Sequence, residues 1–198
     1  MRKVIQLAAI FLLLVVLPAG SWYYLQKGVN YRLETMGELK NHGPFTLLPT
    51  DTSVVEKETI SVINFLSLDE PSSAQQGALL AKLHDQFEKR EDFRLVTFVD
   101  SLAASGLPAF KATYKLEEEN QCLFPYLSKA EWATFLGANS QLEGDLYQYL
   151  ILVDLDGNIR NFYHQQELME VRKLVEHIAF LLPIKKRDTA ELRRETEK

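Results

Sequence analysis

The stretch from Ile63 to Gln76, INFLSLDEPSSAQQ, is the first place in the sequence to look for chemistry. It passes from a strand-like apolar segment through Pro71 into a helix-like segment, and α/β proteins often bind ligands at such junctions. Its only ionisable side chains are the adjacent carboxylates Asp69 and Glu70. A catalytic carboxylate pair needs converging geometry and a raised pKa on one partner. Because the helix dipole also favours acidic residues at a helix amino terminus, we interpret this pair as capping residues.

Thiol and imidazole groups are few and scattered. Cys122 is the only cysteine, which excludes an intramolecular disulfide and a cysteine-based metal cluster. A lone thiol can act as a nucleophile, but free cysteine is also a common small core residue, and we interpret Cys122 as core. The four histidines show no i, i+4 pair and no HExxH context, and we predict that they bind no metal: His42, His84, His164 and His177.

The sequence DLDGN, from Asp154 to Asn158, resembles part of a calcium-binding loop. A calcium loop of the EF-hand type has glycine at position 6 and glutamate at position 12, whereas here glycine is at position 4 and Gln165 is at position 12. Asp-Gly is also a strong signal for a tight hairpin turn, which is the structure we predict. No P-loop, GxSxG or dinucleotide glycine fingerprint is present. The sequence therefore predicts no catalytic, cofactor-binding or metal-ligating residue, no cofactor and no small-molecule substrate.

Apolar runs and helical periodicity predict the elements that would position these residues. Apolar segments rich in β-branched residues are predicted strands: Ile60–Leu66, Phe93–Asp100, Gln148–Asp154 and Asn158–Tyr163. Segments with helical spacing are predicted helices: residues 72–90, 105–117, 128–135 and 167–182. Two short strands, Phe45–Leu48 and Ser53–Val55, would form a hairpin ahead of them. This order predicts an α/β fold, a mixed sheet flanked by helices with the element order of a thioredoxin-like domain.

The amino-terminal segment predicts a transmembrane helix. Val4–Leu25 carries no charge over 22 residues, and at ~1.5 Å per residue it can cross a hydrocarbon core of about 30 Å. Arg2 and Lys3 place the amino terminus in the cytoplasm, and the aromatic run Trp22–Tyr24 suits the far interface. A cleaved signal peptide is the alternative, and Ala19, Gly20 and Ser21 offer small residues for cleavage. Its apolar region would be shorter, however, and the bulky run Trp22–Tyr24 follows at once. We therefore expect an uncleaved anchor.

These observations divide the chain into successive regions. We predict a cytoplasmic end at 1–3, a transmembrane anchor at 4–25, a tether at 26–43, a folded domain at 44–184 and a charged tail at 185–198. The part after residue 25 has 20 Lys and Arg against 27 Asp and Glu, a net charge of −7, and such an acidic domain argues against binding nucleic acid. We expect a single-pass protein of the inner membrane whose domain lies outside the cytoplasm.

Several stretches together resemble one family, the membrane-anchored thioredoxin-like Sco/SenC proteins, which are copper chaperones for cytochrome oxidase assembly. The stretch GPFTLLPTDTS resembles the lead-in hairpin of that family, and ISVINFLSLDEPSSAQQGALLAKLHDQF resembles its first core strand, motif loop and helix. The stretch FRLVTFVDSLAASGLPAFKATY resembles its second strand and the residues that follow, and YLILVDLDGNIRNFY resembles its late hairpin. Their order and spacing carry the resemblance.

The family's chemistry depends on a CxxxCP motif after the first core strand and on a histidine before the late strand. In this sequence Glu70 and Ala74 stand where the two cysteines would be, Gln75 replaces the proline, and the histidine position falls at or near Leu146. Cu(I) prefers thiolate and imidazole ligands, and disulfide exchange needs a thiolate, so neither activity is carried over. The expected function is a non-enzymatic binding or assembly protein with protein partners, possible oxidase assembly factors among them. Two alternatives stay open: a copper chaperone with non-standard ligands, and a single-cysteine thiol protein that uses Cys122.

Overall fold

The computed structural model describes residues 10–45, 58–68, 72–118, 120–128 and 146–183, together with Gln6, Ala130, Glu131, Thr134 and Gly137. Its helices are α1 (Leu17–Gly37), α2 (Ser73–Phe87), α3 (Leu107–Tyr114) and α4 (Leu168–Leu181). Its strands are β1 (Ile60–Leu66), β2 (Phe93–Asp100), β3 (Cys122–Leu123), β4 (Tyr126–Leu127), β5 (Tyr149–Val153) and β6 (Ile159–His164). A π-helical turn, Leu12–Val16, precedes α1, and 3₁₀ turns cover Ser101–Gly106 and Leu146–Gln148.

Most elements lie where the sequence predicts them. The four core strands and the helices at 72–90 and 167–182 are confirmed within three residues at each end. The helix predicted at 105–117 is shorter, because Lys115 takes a left-handed conformation (φ 56°) that ends it at Tyr114. Near the short helix predicted at 128–135, Ser128 and Glu131 form a reciprocal capping box. The hairpin predicted over Phe45–Val55 falls outside the described residues beyond Phe45.

The strands form one mixed sheet in the order β3-β2-β1-β5-β6, with β4 also pairing with β2. Strands β1 and β2 are parallel, with Ile60 opposite Phe93 and Leu66 opposite Val99. Strand β5 runs antiparallel to both β1 and β6. Strand β1 therefore has a parallel neighbour, β2, on one side and an antiparallel neighbour, β5, on the other. The strand direction changes across the sheet at this position.

Both faces of the sheet are covered, which explains why every residue of β1 is buried. One face packs Val62 and Leu66 against Leu80 and Leu83 of α2 and Ile178 of α4. The opposite face buries a second cluster: Phe45, Ile63, Phe65, Val96, Phe98, Leu127, Leu146, Ile151, Val153 and Ile159. Burying one such side chain contributes about 1.5–3 kcal/mol, so the two clusters are the main source of stability.

Asn64 is an exception in this core. It is fully buried in β1 beside Thr97 of β2, and neither of its amide atoms has a hydrogen-bond partner among the described residues. Leaving a buried polar group unpaired costs about 1–3 kcal/mol. We therefore expect Asn64→Val to raise the free energy of unfolding by about 1 kcal/mol, measured by urea denaturation. A lower urea midpoint would instead indicate an ordered water that satisfies the amide.

The amino-terminal helix is the largest departure from the expected organisation. Among the described residues, none of the helices combines the length and the hydrophobicity that a membrane span requires. The transmembrane helix expected at 4–25 is thus not supported by that part of the chain, and Val4, Ile5 and residues 7–9 lie outside it. Helix α1 also continues to Gly37, so much of the tether expected at 26–43 is helical rather than extended.

The second half of α1 packs along α4. The contacts are a hydrogen bond from Tyr31 Oη to Glu176 Oε2 (2.7 Å), the Arg32 guanidinium 5.5 Å from the Phe180 ring centroid, and an ion pair between Lys173 and Glu38 (3.2 Å). Glu38, the last of these residues along α1, contacts the residue nearest to the amino end of α4, Lys173. The two helices therefore run antiparallel.

His177 lies at the centre of this helix pair. It is fully buried, and a 2.5 Å hydrogen bond joins its Nδ1 to Tyr163 Oη, which is also fully buried. The Thr35 carbonyl and the Glu38 carboxylate of α1 face the imidazole. Burial lowers the pKa of His177, and the nearby Glu38 only partly opposes this effect.

The lowered pKa of His177 predicts a loss of stability in mild acid. Below about pH 6.5 the unfolded chain binds a proton at this histidine, whereas the folded protein does not until its lower pKa is reached. Stability should therefore fall as pH decreases through this window and be insensitive to His177 at higher pH. The check compares urea midpoints of the parent and of His177→Asn from pH 5 to 8, and an equal decline in both proteins would contradict the assignment.

Candidate functional site

The carboxyl end of β1 is the expected location of a site, because ligands of open α/β sheets bind where the strand order changes direction. Ser67 and Leu68 follow β1, and α2 begins at Ser73. The carboxylates Asp69 and Glu70 lie outside the described residues, so the structure tests neither their pairing nor the position of Glu70. Of the other motif positions, Ala74 is exposed in the first turn of α2.

The segment that faces this end of the sheet is the 3₁₀ turn Leu146–Gln148. Leu146 is buried in the core on the opposite face of the sheet from α2. Gln75, which replaces the proline of the motif, is exposed. The side chain of Ser72, the residue before α2, makes no cap hydrogen bond to the helix.

Two glutamine side chains close this end of the sheet. Gln76 of α2 is 3 % exposed, and its Nε2 donates a 2.7 Å hydrogen bond to the carbonyl oxygen of Tyr147. Gln165, in the turn between β6 and α4, donates through its own Nε2 to the same carbonyl. This arrangement of Gln76, Gln165 and the Tyr147 carbonyl is termed here the amide clasp. It ties α2 and the β6–α4 turn to the segment that precedes β5.

The clasp leaves two acceptors unused. Both Oε1 atoms, of Gln76 and of Gln165, are buried and have no hydrogen-bond partner among the described residues. The same two residues help to line a crevice of about 20 Å³, together with Ser72, Gln75, Leu79 and Gln166. This space accommodates about one water molecule, whereas sites for small organic ligands usually enclose about 300–1,000 Å³. The crevice therefore has room for a water molecule but cannot enclose a substrate.

The amide clasp is not predicted from the sequence, although the sequence contains one signal for it. Gln76 lies four residues before Leu80, which places it on the apolar face of α2, and a polar residue there needs a partner. No comparable signal marks Gln165 or Tyr147, because the three residues come from distant parts of the chain.

The four histidines lie apart from one another. His164 Nε2 pairs with Gln148 Oε1 (3.0 Å) next to the clasp, and His84 Nε2, in the last turn of α2, pairs with Glu118 (3.1 Å). His42 contacts the edge of Phe162. In the part of the chain that the structure describes, no three His, Cys, Asp or Glu side chains are grouped as a metal site would require.

Cys122 lies in strand β3, opposite Leu95 of β2, and is 2 % exposed. Burial raises the pKa of its thiol to about 12, and the nearby carboxylate of Glu118 acts in the same direction. The thiol is therefore protonated at neutral pH. Since the thiolate is the nucleophile and the metal ligand, this environment favours a core role for Cys122.

Alkylation of Cys122 is expected to be very slow in the folded protein. With a pKa of about 12, the thiolate fraction at pH 8 is about one in ten thousand, against roughly a quarter for an ordinary cysteine. We expect iodoacetamide to modify the native protein at least ~10³-fold more slowly than the urea-unfolded protein, as followed by intact mass. Comparable rates in both states would show an accessible thiolate and revive the single-cysteine alternative.

The DLDGN segment forms the predicted turn. Asp154 Oδ1 accepts hydrogen bonds from the backbone N–H groups of Asp156 (3.0 Å) and Asn158 (2.9 Å), while its Oδ2 pairs with Arg160 (3.3 Å). Gly157 has φ +82°, a conformation that glycine adopts without strain. Both oxygens of the Asp154 carboxylate are thus used within the hairpin.

Comparison with known proteins finds similarity in structure only. No protein-family model and no curated protein matches the chain. A SCO1/SenC family lipoprotein from Bacillus anthracis str. Ames has a TM-score of 0.51 at 18 % identity, covering 63 % of this chain and 82 % of that protein. BsSco, described as a member of the Sco family of cytochrome c oxidase assembly proteins, has a TM-score of 0.51 at 19 % identity, with coverages of 72 % and 94 %.

A third similar structure is the thioredoxin domain of a thiol-disulfide oxidoreductase from Bacteroides vulgatus. Its TM-score is 0.51 at 16 % identity, and the match covers 73 % of this chain and 99 % of that domain. Identities this low establish the fold and not the activity. The chain therefore has the thioredoxin-like α/β fold that Sco proteins and thiol-disulfide oxidoreductases share.

Proposed function

We propose that this protein is a membrane-tethered, Sco-like binding or assembly factor that works through its surface and not through copper transfer or thiol exchange. The observation that carries the proposal is the amide clasp. At the end of the sheet where chemistry is expected, Gln76 and Gln165 hold the Tyr147 carbonyl with neutral amides. Amides provide neither a nucleophile nor the soft ligands that Cu(I) prefers.

The state of the only cysteine supports the same proposal. Cys122 is a buried core residue of β3 whose pKa is raised to about 12. A fold keeps its architecture when a reactive site is lost, because stability resides in the core and function in the site. BsSco belongs, by its description, to a family of cytochrome c oxidase assembly proteins, which suggests oxidase biogenesis as the setting.

The tether belongs to this proposal as well. All eight residues from Ile10 to Leu17 are large and apolar, and each is between 48 % and 70 % exposed. Contiguous apolar surface of this kind marks a lipid or protein contact. We propose that this segment, with the uncharged residues before it and the aromatic run Trp22–Tyr24, lies in the inner membrane and leaves the domain outside the cytoplasm. Resistance to carbonate extraction, and protease access to the domain in spheroplasts, would test the location.

The proposed function is tested by native co-purification. A tag on the carboxyl terminus, gentle solubilisation of membranes and mass spectrometry should recover oxidase subunits or copper-assembly factors. A preparation free of them but carrying tightly bound metal would overturn the proposal.

A titration of the purified protein with Cu(I) separates the remaining alternatives. The parent and Cys122→Ser are expected to bind equally little copper, and neither should reduce a model disulfide. Copper binding that persists in Cys122→Ser would identify a site built from other ligands. Binding or reduction that is lost in Cys122→Ser would identify the thiol as functional.

A further inference from the structure

The second half of α1 exposes a row of apolar side chains. Leu25, Val29, Leu33 and Met36 are between 42 % and 67 % exposed, and they follow one another at intervals of four, four and three residues. At roughly 100° per residue, the four lie within about 80° of the helix circumference. We term this row the outer stripe. A contiguous apolar surface on a folded protein marks a contact with another molecule.

The outer stripe faces away from the folded domain. The residues of α1 that face α4 are Tyr31, Thr35 and Glu38. Their mean direction is about 150° around the helix from that of the stripe. A partner can therefore cover the stripe while α1 stays packed on α4.

The charges around the outer stripe favour a second copy of this chain as the partner. The stripe itself carries no charge, and one of its borders consists of the neutral residues Gln26, Asn30 and Gly37. The other border carries Arg32, whose guanidinium lies 5.5 Å from the ring centroid of Phe180 on α4 and is thus directed towards its own domain. Like charges that meet across an interface oppose association. A neutral face of this kind meets an identical face without such repulsion.

The spacing of the outer stripe also suits self-association. Val29 and Met36 are seven residues apart, and intervals of three and four residues keep an apolar seam on one side of a helix that pairs with another helix. In a parallel pair with two-fold symmetry, each residue of the stripe meets its own equivalent.

The length and position of α1 determine how such a pair would form. The outer stripe spans about 17 Å, which is short for two free chains to associate through it. Helix α1 follows the apolar π-helical turn Leu12–Val16 without a break, so both copies of α1 would leave the membrane in the same direction. Confinement to one membrane raises the effective concentration of the two stripes and aligns them in parallel.

We propose that the outer stripe pairs with the outer stripe of a second copy of this chain in a parallel two-helix contact. Val29 of one copy faces Val29 of the other, and Met36 faces Met36. Helix α4 and the sheet lie on the outer side of each helix, so the two domains flank the helix pair. The parallel direction rests on the tether in the proposed function, whereas the choice of the face does not.

Disulfide cross-linking of the full chain in its native membrane tests the pairing. Met36→Cys is compared with Glu34→Cys, which is also exposed but lies about 160° around the helix. The parent chain is the blank, because Cys122 is buried and protonated. Only cysteines whose Cα atoms lie within about 7 Å can bridge, so mild oxidation should give at least about fivefold more homodimer from Met36→Cys. Equal yields, a disulfide with a different protein, or no homodimer would overturn the proposal.

Charged substitutions at Val29 identify the partner as a second copy. In the Met36→Cys chain, Val29→Glu places two carboxylates opposite each other and should lower the homodimer yield at least about fivefold. Co-expression with a Val29→Lys, Met36→Cys chain should restore the yield, because opposite charges then meet. Lys27→Glu, a larger change of charge at an exposed position about 160° away, should leave the yield unchanged. A loss that the Val29→Lys chain does not restore would show that the stripe contacts lipid or another protein, which contradicts the pairing.

Carbonate extraction of the same membranes separates the tether from the pairing. Release of the parent chain into the soluble fraction would overturn the tether and the reason given for the parallel direction. The pairing itself is judged by the yields from Met36→Cys and Glu34→Cys in whichever fraction holds the chain.

Discussion

Replacing Asp154 by alanine is expected to lower the free energy of unfolding by about 3 kcal/mol, because the substitution removes several charge-assisted interactions at once. The carboxylate accepts hydrogen bonds from the N–H groups of Asp156 and Asn158 and pairs with Arg160. Arg160 in turn donates to the carbonyl of Leu39, so the turn also holds the segment that follows α1. Urea denaturation of the parent and the variant measures the difference.

Asp154→Asn is the matched control. Asparagine keeps an oxygen for the two backbone donors but loses the charge that faces Arg160, so we expect a loss of only about 1 kcal/mol. If calcium occupied this loop, millimolar calcium would raise the thermal midpoint of the parent. We expect no change, because the hairpin already uses both carboxylate oxygens. A loss below about 1 kcal/mol in Asp154→Ala would contradict the role assigned to the turn.

The sequence predicts most accurately those elements whose own apolar pattern matches the way they pack in the core. Strands β1 and β2 are apolar on both faces because both faces of the sheet are covered, and this pattern is legible in the sequence. The bounds predicted for helix α4 agree with the structure within one residue at each end, since Val175 and Ile178 recur at helical spacing and pack on the core. Local pattern and tertiary packing agree in these elements.

Strands β3 and β4 could not be predicted from the sequence. Each has two residues, too few to show an alternating pattern, and each exists because β2 offers backbone groups. The N–H of Leu95 donates to the carbonyl of Gln121, and that of Val99 donates to the carbonyl of Pro125. The break between the two strands lies at Phe124–Pro125, where proline has no N–H to donate.

The packing of α1 on α4 could not be predicted from the sequence for a different reason. The residues that contact α4 are polar or amphipathic, such as Tyr31 and Glu38, and their partners lie more than a hundred residues later in the chain. Polar residues after an apolar segment are typical of a solvated tether, which is the interpretation the sequence favoured. The amide clasp shares this difficulty, because a glutamine is ordinarily a surface residue and only the folded chain shows what Gln76 contacts.

Replacing Gly77 by valine is expected to lower the free energy of unfolding by about 3 kcal/mol through overpacking. Gly77 is buried in α2 beneath the ring of Tyr114 from α3, and a Cβ at this position would lie 2.3 Å from Tyr114 Cε2. The ring also packs on Phe110 at a centroid distance of 4.9 Å, which limits how far it can turn away. Glycine is therefore required here by close packing and not by its backbone angles.

A double-mutant cycle with Tyr114→Ala decides whether this contact is the cause. Removing the ring alone should cost about 2 kcal/mol, and adding Gly77→Val to it should cost little more, which gives a coupling energy of about 3 kcal/mol. Gly28→Val in α1, where no atom lies within 4 Å of an added Cβ, should be nearly neutral. Additive losses would mean that valine disturbs α2 by another route.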